Sequence, residues 1–175
     1  MFTNTDRTLI IGLYVDDMLI LGRSLGAVSA FKEQFGKMYK IKDLKEVRTF
    51  LGLEVTRDRA SRTLTISQKS YALKLVDDYL GGSDQTSPTP TGGIQTLGKA
   101  KQNEPRADIS LYQRAIGSLM YLQRGTRPDI TFTVCRLSQY YSDPTIRHWN
   151  CVLRIIRYLQ GTPGYAIRYG NAERL

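Results

Sequence analysis

LIIGLYVDDMLILG, residues 9–22, places two adjacent acidic residues between two short apolar runs. Apolar runs of this length around a polar turn predict two buried strands joined as a hairpin, with Asp16 and Asp17 at or near its tip. Neighbouring carboxylates resist ionising together, because their negative charges repel each other. Ligands that are all oxygen suit Mg²⁺ or Mn²⁺, so the pair predicts a metal site for phosphoryl or nucleotidyl transfer. Adjacent aspartates also occur in ordinary exposed turns, which is the alternative.

Positive charge is concentrated in the second half of the chain, which has 175 residues and a formal net charge of +9. Residues 1–87 hold 13 Lys and Arg against 11 Asp and Glu, whereas residues 88–175 hold 12 against 5. Between residues 109 and 168 every cation is an arginine, and a planar guanidinium can bind phosphate through two hydrogen bonds. The second half therefore predicts a polyanion-binding surface, with a merely solubilising basic face as the alternative.

The composition, 41% hydrophobic and 23% charged, is typical of a globular protein. No apolar run approaches the roughly 20 residues that cross a bilayer, and the two aspartates interrupt the apolar stretch near the N-terminus, unlike a signal peptide. We therefore expect an intracellular protein, cytoplasmic or nuclear, with no membrane partner. Cys135 and Cys151 lack the spacing of metal ligands and are expected to be reduced, buried thiols.

Three segments follow from the periodicity, and the predicted fold class is α+β. Residues 1–82 contain the hairpin at 9–22, a helix, a second hairpin at 49–67 and a further helix that Gly81 ends. Residues 83–108 are rich in Gly, Pro, Ser and Thr and predict a linker, which joins two lobes or wraps one of them.

Residues 109–175 predict an all-helical lobe that closes with one short strand. Helical spacing of apolar residues recurs at 111–124, 128–141 and 144–160, and strand alternation follows at 165–169. Asp143 is a plausible N-cap for the last helix, and Pro128 and Pro144 suit first-turn positions.

A series of motifs along the chain resembles one known family. In order, they read YVDDM at 14–18, KDL at 42–44, FLGLEV at 50–55, ISQK at 66–69, PTP at 88–90, GSLMYL at 117–122, TRPDI at 126–130, HW at 148–149 and RYLQGT at 157–162. Together they resemble the reverse transcriptase of Ty1/copia-type LTR retrotransposons. Lys45 departs from the pattern, because the family usually has glycine after the KDL motif.

The resemblance implies a partial polymerase palm followed by a helical thumb or connection lobe. Asp16 and Asp17 would be the catalytic pair and would hold two Mg²⁺ or Mn²⁺ ions together with a third aspartate on an earlier strand. Phe50, Leu51 and Gly52 would belong to the primer grip, the hairpin that seats the primer strand.

The implied partner is an RNA–DNA hybrid or another primer–template duplex, recognised by the shape of its backbone. The residues expected to contact nucleic acid combine one aromatic residue near the aspartates with basic residues further along the chain. They are Tyr14, Lys42, Arg114, Arg127, Arg147, Arg154 and Arg157.

In the family, the fingers and the third aspartate would precede residue 8, so we expect this chain to bind primer–template without polymerising alone. Complementation in trans by another chain is one alternative. A second is a repurposed protein-interaction module that keeps the fold. Because a missing palm strand would leave a sheet edge and an apolar face uncovered, we also expect a homo-oligomer or a protein partner there.

Overall fold

Strands dominate the beginning of the chain and helices its second half, so the fold is mixed α+β. The computed structural model describes residues 1–170 and contains, within that range, five α-helices and two antiparallel sheets. The chain separates into a first unit, Met1–Leu51, and a second unit that begins at Gly52. No helix of the described residues is long and apolar enough to span a membrane.

The first unit is a three-stranded antiparallel sheet with one helix packed on it. Its strands lie in the order β1, Phe2–Thr3, β2, Leu9–Tyr14, and β3, Asp17–Gly22, and the helix is α1, Leu25–Met38. Ser24 is the N-cap of α1, because its hydroxyl oxygen accepts the backbone N–H of Ala27 at 3.2 Å. A two-residue strand, β4, Thr49–Phe50, lies at the end of this unit.

The strands of this hairpin are less buried than the sequence predicts. Every residue of β2 and β3 is half-buried or exposed, so the prediction of buried strands was wrong. The reason is that α1 covers one face of the sheet, where Gly22 meets Val28. Ile10 and Leu21 pair across the strands on the opposite face and are 36% and 49% exposed.

The second unit combines a small antiparallel sheet with a helical core. Its elements are β5, Leu53–Asp58, β6, Thr63–Ser67, α2, Lys69–Leu80, α3, Ile109–Gly125, α4, Thr131–Ser138, α5, Ile146–Gly161, and β7, Ile167–Tyr169. Strand β6 pairs with β5 on one side and with β7 on the other. The fully buried apolar side chains come from the helices and from the segment between α2 and α3.

Most helix ends fall where the sequence places them. Gly81 adopts a left-handed conformation, φ +55°, directly after α2, as predicted for a glycine that ends a helix. Pro128 begins a short 3₁₀ turn, Pro128–Ile130, that precedes α4. The predicted N-cap of α5 was wrong, because Thr145 occupies that position and Asp143 instead pairs with Arg106 at 2.5 Å.

The segment predicted as a linker packs on the helices of the second unit. Ile94, Leu97 and Ala107, all within residues 83–108, are buried in or beside the core. Helix α2 also packs against α5, within the second compact unit that begins at Gly52. Cys151 is half-buried as a free thiol, whereas Cys135 is exposed and not buried as predicted.

Candidate active site and nucleic-acid interface

The tip of the first hairpin is a two-residue turn formed by Val15 and Asp16. Strands β2 and β3 pair in register from Leu9 opposite Gly22 to Tyr14 opposite Asp17, which leaves only these two residues between the strands. Val15 has φ +50°, an unusual conformation for a β-branched residue. Glycine is the residue that two-residue hairpin turns favour at such a position. The tip therefore carries backbone strain, which is typical of functional sites.

Both aspartates of the tip are exposed, and so is the tyrosine that precedes them. Asp16 and Asp17 lie in solvent, and Tyr14 is 59% exposed. The pair thus lies on an exposed turn, the setting that the sequence left open as the alternative to a metal site. What remains is a pair of adjacent carboxylates at a strained turn, both accessible to a ligand.

The donor set at the tip fits part of a metal site and not a complete one. Among residues 1–170, no group of three or more His, Cys, Asp or Glu side chains is placed to hold a metal ion. Mg²⁺ often binds through one or two carboxylates and completes its shell with water and substrate phosphates. The chemistry of Asp16 and Asp17 is compatible with that mode of binding.

The residues predicted for the primer grip form a second turn of unusual backbone geometry. Leu51 and Gly52 both have positive φ angles, +51° and +77°, between the short strand that contains Phe50 and strand β5. A β-carbon on Gly52 would lie 2.5 Å from the hydroxyl oxygen of Tyr121 on α3. Only glycine satisfies both the angle and the space at this position.

Glu54, in the same motif, was not singled out by the sequence and has a clear structural role. One carboxylate oxygen accepts the backbone N–H of Ser70 at 2.8 Å, and the other accepts the hydroxyl of Ser67 at 3.3 Å. These hydrogen bonds hold the pKa of Glu54 below its usual value. Gln68, the N-cap of α2, makes no capping hydrogen bond with its side chain, so Glu54 satisfies the first turn of α2 from β5.

Arg127 was expected to contact nucleic acid, but the structure buries it. Its residue surface is 2% exposed, and its guanidinium donates to the carboxylate of Asp129 and to the hydroxyl and backbone oxygens of Thr162. The rings of Tyr158 and Tyr165 each lie 5.4 Å from the guanidinium carbon. Arg127 is therefore part of an ion pair with Asp129 and has almost no surface to offer nucleic acid.

Arg147 and Arg154 are held by side-chain contacts within the protein, and Arg157 is half-buried, although each of the three retains accessible surface. Arg147 forms an ion pair with Glu104, which lowers the pKa of that carboxyl to about 2. Arg154 donates to the hydroxyl oxygen of Thr89 at 3.2 Å, and the Nε atoms of Arg154 and Arg157 are buried with no hydrogen-bond partner. Arg114 and Lys42 are exposed.

His148 and Trp149 pack within the helical core. The imidazole of His148 is buried, stacks on Tyr140 with ring centroids 4.0 Å apart, and caps α5 together with Thr145. Trp149 meets Tyr79 edge to face.

Comparison with known protein families decides what this fold and this tip represent. Residues 1–92 match the family described as reverse transcriptase (RNA-dependent DNA polymerase). The chain belongs to this family. The matched region includes the Asp16–Asp17 hairpin, the turn at Leu51 and Gly52, and α2. It therefore contains every candidate catalytic and primer-grip residue.

The similarity to transposon proteins extends into the helical half of the chain, as curated relatives show. The retrovirus-related Pol polyprotein from transposon TNT 1-94 of Nicotiana tabacum is 34% identical over 94% of this chain and 13% of its own length. The Pol polyprotein from transposon RE2 of Arabidopsis thaliana is 34% identical over 93% and 11%. The putative transposon Ty5-1 protein of Saccharomyces cerevisiae is 28% identical over 99% and 56%.

The chain thus corresponds to a limited part of each of these relatives, and to about an eighth of the tobacco polyprotein. No solved structure matches this chain significantly. The Ty1/copia-type resemblance read from the motifs is confirmed, because transposon Pol polyproteins are the relatives that cover almost the whole sequence. The chain is accordingly a reverse transcriptase fragment of a retrotransposon.

Proposed function

We propose that this reverse transcriptase fragment binds primer–template nucleic acid, an RNA–DNA hybrid in particular, and presents Asp16 and Asp17 to the reacting end of the primer. The observation that carries the proposal is the exposed Asp16–Asp17 pair at a hairpin tip whose first residue, Val15, is held at φ +50°. Membership in the family supports the assignment of this tip to nucleotidyl transfer. The sheet of the first unit would correspond to the palm, and the helices of the second unit to the thumb or connection.

Asp16 and Asp17 would hold Mg²⁺ or Mn²⁺, which supplies charge neutralisation at the transferring phosphate when it is bound. The contribution of this chain is to keep two carboxylates accessible on a short turn. The register from Leu9 to Tyr14 against Asp17 to Gly22 fixes that turn. Since the tip offers two carboxylates, we expect weak metal binding and no polymerisation by the isolated chain.

The proposed nucleic-acid contacts lie in each unit separately, at Tyr14 and Lys42 in the first unit and at the accessible arginines in the second. Arg114 and Lys42 are fully available to phosphate, whereas Arg147, Arg154 and Arg157 would contribute the guanidinium atoms that internal contacts leave accessible. Guanidinium groups that bind phosphates and make no contact with the bases suit a polymerase, because its nucleic-acid substrates vary in sequence.

Fluorescence anisotropy with a labelled RNA–DNA hybrid, measured across a salt series, tests the binding. Each neutralised phosphate contributes about −0.9 to the slope of log affinity against log salt for duplex DNA, so Arg114→Ala should make the slope shallower by about one contact. Absence of binding at low salt would refute the proposal.

Paramagnetic broadening by Mn²⁺ tests the metal site without any need for activity. Backbone amide signals of residues 14–18 should broaden at Mn²⁺ concentrations that leave the rest of the chain unaffected, and Asp16→Asn should abolish the effect. The chain supplies a matched control in Asp77 and Asp78, an adjacent and exposed pair on α2. Equal broadening around both pairs would show that the tip is not a selective site.

A second candidate function is a protein-interaction module that retains the fold. The observation in its favour is the uncovered face of the first sheet, where Ile10, Leu21 and Tyr14 are exposed. Such a face could bind a second copy or a protein partner. Sedimentation at increasing concentration tests self-association, and a monomer at every concentration argues against it. This function would persist when Asp16 and Asp17 are both changed to Asn.

A further inference from the structure

Residues 83–92, which we call the strap, run along one side of α5 in the direction opposite to the helix. The four α5 residues that meet the strap are spaced three apart, so they share one side of the helix. The contacts are Gln160 Nε2 to Ser83 O at 2.6 Å, Ser87 N to Arg157 O at 3.2 Å, Arg154 Nη2 to Thr89 Oγ1 at 3.2 Å, and Cys151 Sγ to Gly92 O at 3.7 Å.

Three hydroxyl residues in the sequence precede a proline, and the structure exposes one of them. Ser87 is 7% exposed, and its hydroxyl donates to the carbonyl of Thr89. The hydroxyl oxygen of Thr162 accepts from Arg127 and donates to the carbonyl of Tyr158. Thr89, between Pro88 and Pro90, is exposed, and its hydroxyl donates to the carbonyl of Thr91 at 3.0 Å.

The surroundings of Thr89 suit a phosphate group. Its hydroxyl oxygen lies 3.2 Å from Nη2 of Arg154, and the Nε atom of that guanidinium is buried without a partner. A β-carbon on Gly92 would clash with the Arg154 side chain, so the guanidinium lies directly against the strap. A phosphate ester would place up to two negative charges and three acceptor oxygens beside this cation.

We propose that Thr89 is a phosphorylation site for a proline-directed protein kinase, and that the phosphate binds Arg154 and fastens the strap to α5. In the reaction the Thr89 hydroxyl oxygen forms a bond to the γ-phosphorus of ATP, and the bond from that phosphorus to the bridging oxygen of ADP breaks. ADP leaves, and the hydroxyl proton passes to the catalytic carboxylate of the kinase. Pro90 locks the backbone after the acceptor and has no N–H to satisfy.

Incubation of the purified chain with a proline-directed kinase and Mg-ATP, followed by peptide mass spectrometry, tests the site. We expect one phosphate per chain, located at Thr89, with none in Thr89→Ala and full incorporation in Thr89→Ser. A standard peptide substrate shows that the kinase is active. Phosphate at Ser87 or Thr162, or none in the folded chain, would overturn the proposal.

Thermal unfolding of the phosphorylated and unphosphorylated chains tests the role of Arg154. New charge-assisted hydrogen bonds should raise the melting temperature by about 2–4 °C in a domain of this size. Arg154→Gln should abolish the rise while leaving phosphorylation at Thr89 intact. An equal rise in Arg154→Gln would overturn the role given to Arg154. Neither measurement involves nucleic acid, so the result is independent of the proposed binding function.

Discussion

Nδ1 of His148 accepts the backbone N–H of Thr145 at 2.9 Å, so this nitrogen must be unprotonated in the folded protein. The other ring nitrogen lies 3.1 Å from the carbonyl oxygen of Gly98, to which it donates. Burial of the ring lowers the pKa of His148 below its ordinary value of 6.5. Glu104, Arg147 and Asp143 act on the same ring, but desolvation is the largest influence.

The stability of the protein should therefore decrease as the pH falls below about 6.5, the pKa of histidine in an unfolded chain. The unfolded chain binds a proton before the folded one does, so the loss continues until the pH reaches the lowered pKa of the folded state. Urea unfolding between pH 7.5 and pH 5 measures the effect.

The chain contains a single histidine, which makes this pH dependence simple to assign. His148→Gln keeps a hydrogen-bonding side chain without a group that titrates in this range, so the slope between pH 7 and pH 5.5 should disappear. A slope that remains unchanged in the variant would assign the effect to other groups.

Gly52→Ala should destabilise the protein by about 1–3 kcal/mol, because it combines a left-handed backbone angle with a steric clash. The new β-carbon would meet the hydroxyl oxygen of Tyr121 at 2.5 Å. Urea unfolding gives the free energy. In a Tyr121→Phe background the clash is relieved but the strained angle is not, so the alanine should cost less there. Identical costs in both backgrounds would refute the contact.

Lys45→Gly should stabilise the protein by about 0.5–1 kcal/mol. Glycine avoids the penalty of about 1–2 kcal/mol that a residue with a side chain incurs in the left-handed conformation. Part of this gain is lost, because glycine gives the unfolded chain more conformational entropy. Lys45 is exposed and has φ +67°, and its N–H binds the carboxylate of Asp43 at 2.9 Å. Lys40→Gly is the matched control, because Lys40 is exposed and outside the positive-φ region, and it should destabilise.

Arg127→Ala should lower the free energy of unfolding by about 2–3 kcal/mol, somewhat less than for a fully buried pair, because Asp129 retains 29% of its side-chain surface. The same variant should leave the salt slope of hybrid binding unchanged at temperatures where it is folded. Arg114→Ala should show the reverse, a shallower slope and little change in stability. A shallower salt slope in the folded Arg127→Ala protein would show that Arg127 does contact nucleic acid.

Local patterns in the sequence were sufficient to predict most of the secondary structure. Helix α1 and the first hairpin follow from apolar spacing, and Gly81 marks the end of α2 because only a left-handed residue continues the chain there. Thr145 and not Asp143 is the N-cap of α5, because the carboxylate of Asp143 instead accepts a hydrogen bond from Arg106, 37 residues away along the chain.

The burial of individual side chains and the residues they contact could not be predicted from the sequence, because both depend on residues that are distant along the chain. Arg127 resembles any other arginine in a basic segment until Thr162, 35 residues further on, is folded against it. Asp16 and Asp17 were predicted at or near the hairpin tip, where the structure has Val15 and Asp16 in the turn and Asp17 at the start of β3. The positive φ of Val15 could not be predicted from a residue type that usually avoids it. The exposure of Asp16 and Asp17 likewise depends on tertiary packing, because α1 covers only one face of the sheet.

The segment between α2 and α3 determines what a break in this chain would do. The segment between α2 and α3 lacks long regular elements, and its buried Ile94 and Leu97 lie in a core that α2 and α5 share. A protease that cuts between these residues and α3 would therefore leave two pieces held together by their packing. On a denaturing gel the protein would run as two bands, while in a native separation it would migrate as one species.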